Sequence, residues 1–175
     1  RTQDYDTKNT APTSANAPTM VVAEEYSSSC KIGNDPYMPP IKPLSYDWTT
    51  LKATIDSMQP TGNTNQGIGM AWAWLTLGTG APFNAPAKES NYTYKEAIIL
   101  LSDGLNTQNR WYNNASQIDA RQTILCANAK TAPHNIKVYT VQVDTGGDGE
   151  SAVLKGCASS PDQFYRITDP NQTVS

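Results

Sequence analysis

Two short segments of this chain carry the oxygen-bearing side chains that could do chemistry. The first, Pro60-Thr61-Gly62-Asn63-Thr64-Asn65-Gln66-Gly67-Ile68-Gly69, sets a threonine in a loop flanked by glycines. The second, Ile99-Leu100-Leu101-Ser102-Asp103-Gly104-Leu105-Asn106-Thr107, runs an apolar stretch into an aspartate and a glycine. A hard cation such as Mg²⁺, or Ca²⁺ or Mn²⁺, takes hydroxyl, carboxylate and water oxygens. Thr64 and Asp103 are therefore the candidate metal ligands. Each segment also has a plainer explanation. Thr64 could simply cap a following helix, and Asp103-Gly104 could be an ordinary turn after a strand.

Other constellations are weaker. Asp144, Asp148 and Glu150 lack the spacing of an EF-hand calcium loop and read as a solvated turn. Gly146-Gly147-Asp148-Gly149 is no dinucleotide fingerprint, and no phosphate-binding Gly-Lys-Ser/Thr occurs. The single histidine, His134, sits in a loop before a strand and has no serine–aspartate arrangement to join. Trp72, Trp74 and Trp111 could form an aromatic platform, with Trp72 reading as core and Trp111 as the surface candidate. Asn65 and Trp111, close to the two loops, are the weak candidates for contacting a partner.

The elements that must position these residues begin near residue 47. Asp47 reads as an N-cap, with Trp48, Leu51, Ile55 and Met58 at helical spacing over 48–58. A second helix starts after Thr64 and runs to about Leu77, with Ile68, Trp72 and Leu75, and further Met70 and Trp74, as its apolar residues. Residues 95–102 read as a strand buried on both faces, central in a parallel sheet. A third helix fits Ser116 to Lys130, with Ile118, Ile124, Leu125 and Ala129 facing inward. Ile136–Val143 is the next strand, Glu150–Cys157 a short helix and Gln163–Ile167 a last strand. Asp169-Pro170 then opens a final helix. Helices alternating with strands predict an α/β domain with a mostly parallel, Rossmann-like sheet and helices on both faces. In such sheets ligands bind at the carboxyl ends of the strands, where both candidate loops fall.

Residues 1–46, with Pro12, Pro18, Pro36, Pro39, Pro40 and Pro43, keep no helical or strand period and read as an elaborated surface loop. Met20-Val21-Val22-Ala23 could be a short extended piece. The remaining 47–175 carries the helix and strand patterns and reads as one portion of a domain. A net charge of -3 with no Lys/Arg cluster excludes a nucleic-acid footprint. No apolar run in the chain is long enough to span a membrane. The three cysteines, Cys30, Cys126 and Cys157, lack metal-type spacing. They are either buried thiols or partly disulfide-bonded.

The pair Gly62-Asn63-Thr64-Asn65 and Leu100-Leu101-Ser102-Asp103-Gly104-Leu105-Asn106-Thr107 resembles the second and third metal-site loops of the von Willebrand factor A family. Tyr46-Asp47-Trp48-Thr49-Thr50-Leu51-Lys52, Thr64-Asn65-Gln66-Gly67-Ile68-Gly69, Asp103–Trp111, Val138–Val143 and Leu154–Ser160 are similar to the TadG-type (Tad/Flp) pilus-assembly proteins of alphaproteobacteria. The resemblance implies a metal-ion-dependent adhesion site holding a cation through Thr64 and Asp103, completed by a partner protein's carboxylate. It implies binding rather than catalysis. It also implies a domain exposed in the periplasm or at the cell surface, anchored upstream, with a Cys126–Cys157 bridge and Cys30 bonded to a cysteine outside this chain.

The family's first metal loop, Asp-x-Ser-x-Ser, and its central strand have no counterpart here. The chain thus resembles the C-terminal portion of such a domain and supplies only some of the site's oxygens. The strand 95–102 is then expected to keep an open edge that the rest of the domain would pair. The alternatives are a structural domain with a degenerate metal site, or a metal-assisted hydrolase.

Overall fold

The computed structural model describes residues 41–59, 63–80, 83–108, 112–169 and 171. Residues 1–40, with Cys30 and the 20–23 run, lie outside them, as do Pro170 and Trp111. In chain order the elements are helices α1 (Trp48–Asp56) and α2 (Gln66–Leu77), strand β1 (Ala97–Ser102), helix α3 (Ala115–Lys130), strand β2 (Lys137–Val143), helix α4 (Ala152–Cys157), a 3₁₀ turn (Pro161–Gln163) and strand β3 (Phe164–Ile167). The strands form a three-stranded, all-parallel sheet in the order β1-β2-β3. Ile98 pairs with Val138 and Ser102 with Gln142, so the carboxyl ends of β1 and β2 lie level.

The fold is α/β, as the alternation of patterns predicts. Its layering differs from the prediction. Residues 98, 100 and 102 of β1 and 138, 140 and 142 of β2 are buried, and α2, α3 and α4 pack on that face. On the other face Ile99 is 72% and Leu101 64% exposed, Tyr165 of β3 is also open, and Tyr139 and Val141 of β2 between them are half-buried. β1 is consequently an edge strand buried on one face. Among the described residues no strand pairs with its outer edge.

The core also corrects two helix faces. In α2 the buried residues are Gln66, Met70, Ala71, Trp74 and Leu75, while Ile68 is exposed and Trp72 packs edge-on to Phe83. In α3 Ile118, Leu125, Cys126 and Ala129 face inward with Gln122, and Ile124 is exposed. Helix α1 forms at its Asp47 cap, which accepts from the Thr50 amide, yet none of its residues is buried.

Cys126 of α3 and Cys157 of α4 are joined by a disulfide between Cα atoms 5.2 Å apart. Lys130, in the last turn of α3, donates to the carbonyls of Gly156 (2.7 Å) and Ala158 (3.0 Å), satisfying the end of α4. Partial burial, which strips water from the ammonium, holds it below the usual lysine range. A structural disulfide fits an oxidising compartment outside the cytoplasm. No described helix is long and apolar enough to cross a membrane.

Candidate functional site

The two candidate loops meet at the carboxyl end of β1. The Thr64 carbonyl accepts from the amides of Thr107 (3.0 Å) and Gln108 (3.4 Å), and the Thr64 amide donates to Thr107 Oγ1 (2.8 Å). Asn63 Nδ2 adds a bond to Gln108 Oε1 (2.6 Å). A segment before α2 and a segment after β1, more than forty residues apart in sequence by the spacing of Thr64 and Thr107, thus run side by side.

Thr64 does not cap α2. That task falls to Asn65, whose Oδ1 accepts from the Ile68 amide (3.2 Å). The carboxamide expected to face a partner is therefore engaged in its own helix. The Thr64 hydroxyl is left outside the cap. Asp103 is exposed, one residue beyond the end of β1. Ser102, the last residue of β1, is buried. Its hydroxyl donates to the Gly104 carbonyl (3.0 Å) and accepts from Gln66 Nε2 (3.2 Å).

Behind these loops lies a polar cluster that the motifs do not reveal. The Gln66 amide donates to Asn106 Oδ1 (2.8 Å), and Asn106 Nδ2 donates to Gln122 Oε1 (2.8 Å) and Asp119 Oδ1 (2.7 Å). Gln122 Nε2 donates to Gln66 Oε1 (3.0 Å), and Gln66 Nε2 reaches the Gly104 carbonyl (2.7 Å). Asn106 is 2% and Gln122 1% exposed, so the cluster sits inside the protein. The available signal was Gln122, a polar residue on the inward stripe Ile118, Leu125, Cys126, Ala129.

As a cation site the donor set is partial. A threonine hydroxyl and a carboxylate are the right oxygens for a hard ion, but six or more positions must be filled. Among the described residues no group of three His, Cys, Asp or Glu comes together to hold a metal. The remaining donors would have to be water or groups from elsewhere.

The turn after β2 is committed to structure. Asp144, buried, accepts from Arg166 Nε (2.9 Å), from the Asp148 amide (2.7 Å) and from the Gly149 amide (3.2 Å). The Arg166 guanidinium, followed by those amides, holds its carboxyl below the ordinary aspartate value. Gln142 brackets the same turn, accepting from the Ser151 amide (2.8 Å) and donating to the Gly149 carbonyl (2.7 Å). Gly149 serves both partners at φ +92°, where an L side chain is strained.

His134 packs edge-on against Trp74 at 4.9 Å and precedes β2, at the amino end of the parallel strands. That is the end opposite Thr64 and Asp103. Trp74 is core, Trp72 half-buried, so helix α2 offers no exposed pair of indoles. Comparison of the chain with protein-family models, with curated proteins and with solved structures returned no match.

Proposed function

We propose that this chain supplies the C-terminal part of a von Willebrand factor A-type module that works by attachment, with no bond made or broken. One observation carries the reading: the Thr64 and Asp103 segments are drawn together at the carboxyl end of a parallel strand, where open α/β sheets bind ligands. Thr64 and Asp103 would hold Mg²⁺, or Ca²⁺ or Mn²⁺, and a partner protein's carboxylate would complete the shell. The further resemblance to TadG-type proteins favours a role in assembling or anchoring a pilus in the periplasm or at the cell surface, and the buried disulfide suits that setting.

The finer fold follows the same reading. The open edge of β1 and its bare face, with Ile99 and Leu101, call for one more strand and a second layer from the remainder of the domain. A strand laid parallel to β1 would end beside Asp103 and could deliver the missing oxygens there. The second reading, a structural domain with a degenerate site, is favoured by the partial donor set.

Titration of Mn²⁺ into the chain, followed by electron paramagnetic resonance of the free ion, separates the two. Attachment through a half-built site predicts a dissociation constant in the range of about a millimolar, like the weaker extracellular calcium modules. Asp103→Asn should abolish that binding and Thr64→Val should weaken it. No binding, or binding indifferent to Asp103→Asn, would leave the structural reading.

A further inference from the structure

The candidate loops are held by an unusual support. Gln66, Asn106 and Gln122 form a closed ring in which each carboxamide donates to or accepts from the next. The Gln66 backbone amide closes the ring onto Asn106 Oδ1. The ring has one permitted sense, because it is pinned by two backbone groups that cannot change character, the Gln66 N–H and the Gly104 carbonyl. The Gln66 N–H can only donate, which fixes Asn106 Oδ1 toward it and turns Nδ2 toward Gln122 Oε1 and Asp119 Oδ1. Gln122 must then present Nε2 to Gln66 Oε1, and Gln66 must present Nε2 to the Gly104 carbonyl, which can only accept. The assignments that start from residue 66 and from residue 104 agree around the circuit.

We infer that Asn106, with Gln66 and Gln122, is a positioning residue that holds the Asp103 loop against the Thr64 loop and against α3. For its purpose this rests on the binding reading above, but the ring itself rests on geometry alone. Asn106 is the hub: it touches the first turn of α2, the inward face of α3 and, through its own backbone, the strand-end loop. Thr107, its neighbour, makes the pairing with Thr64. Loss of the hub should therefore let the two loops part without dismantling the sheet.

Asn106→Asp is the informative variant. It keeps the acceptor for the Gln66 amide and the side-chain shape. Ionised, it offers no hydrogen to Gln122 Oε1 or Asp119 Oδ1, and with a proton shared between residues 106 and 119 it offers one where Asn106 offers two. The ring cannot reverse to compensate because the Gly104 carbonyl would then face an oxygen. Adding Asp119→Asn returns one donor, so the double variant should recover part of the loss. Gln142→Met removes a buried carboxamide of the other turn and serves as the comparison for a general loss of stability.

Native-state amide hydrogen exchange reads the ring directly. In N106D the Thr107 amide should exchange at least about tenfold faster, the factor expected from loss of a buried hydrogen bond of ordinary strength, while β2 amides hold their wild-type rates. N106D/D119N should slow Thr107 part of the way back, and Q142M should not accelerate it beyond β2. The inference is overturned if Thr107 accelerates no more than β2 in N106D, or as much in Q142M. Should N106D not fold, Gln122→Met cuts the ring at its opposite point and carries the same expectation. Mn²⁺ affinity, measured alongside, should fall in N106D. If wild type binds no Mn²⁺ the attachment reading fails, and the exchange rates still decide the ring.

Discussion

Opening the Cys126–Cys157 bond is the perturbation whose magnitude follows most directly from the fold. The bond ties α3 to α4 across a sequence separation of 31. Freeing the unfolded chain of that closure returns about 12 cal/mol/K of entropy in the chain-entropy treatment, or about 3.7 kcal/mol at room temperature. Both sulfurs lie in the core beside Leu125, Val138 and Leu154, so reduction leaves them buried but asks the packing to admit two thiols. A domain of this size has a total stability of roughly 5–15 kcal/mol, so the bond decides whether the fold is robust or marginal.

Urea titration followed by tryptophan fluorescence, with and without a strong reductant, measures it. With a urea slope of about 2 kcal/mol per molar, the reduced midpoint should fall by about 2 M. Cys126→Ala with Cys157→Ala should unfold near the reduced wild type, to within the roughly 1–2 kcal/mol that changed packing introduces. Coincident curves in the two redox states, or alkylation of both cysteines in the native unreduced protein, would refute the argument.

Two further outcomes follow from the turn after β2. Arg166 depresses the Asp144 pKa in the folded state, so its stabilisation is complete above the ordinary value of 3.8 and drains away as pH falls below it. Asp144→Asn should lower the melting temperature at neutral pH and converge with wild type once the wild-type carboxylate is protonated, as a pH series of thermal melts will show; parallel curves would contradict the ion-pair account. Gly149→Ala places a Cβ at φ +92° and should cost about 1–2 kcal/mol in chemical denaturation, whereas an unchanged midpoint would mean the turn adapts freely.

Element types and order were legible because caps and periods are local. Which face of an element is buried was less so, for reasons particular residues make plain. The run Ala97–Leu101 is apolar throughout and reads as doubly buried, but only Ile98 and Leu100 meet helices. Helix α2 carries large apolar groups around its whole circumference, so periodicity alone could not choose Met70 and Trp74 over Ile68. In α3 hydrophobicity favours Ile124 inward, and the fold instead buries Gln122. An amide can occupy that place only because Gln66 and Asn106 satisfy it, and those partners come from segments distant in sequence. Thr64 and Asn65 both suit an N-cap by type; the Thr64–Thr107 pairing shifts the cap to Asn65.

The support behind the loops and the bare sheet face bear on each other. The amide ring, through Gln66 of α2 and Gln122 of α3, anchors the Asp103 loop from the helix-covered side of the sheet. On the other side Leu101 stands open two residues before Asp103, at the outer edge of β1. Burying Ile99 and Leu101 under an added layer would contribute roughly 1–3 kcal/mol each, and pairing the β1 edge would satisfy its free backbone groups. Those gains come from surface immediately next to the candidate ligands. On the attachment reading, completing the sheet and completing the cation shell are therefore one event. A strand that docks for hydrophobic reasons would bring its terminal loop to Asp103 while the ring keeps Thr64 in place. Cation affinity of the joined domain should then exceed that of this chain by far more than Thr64 and Asp103 alone could supply.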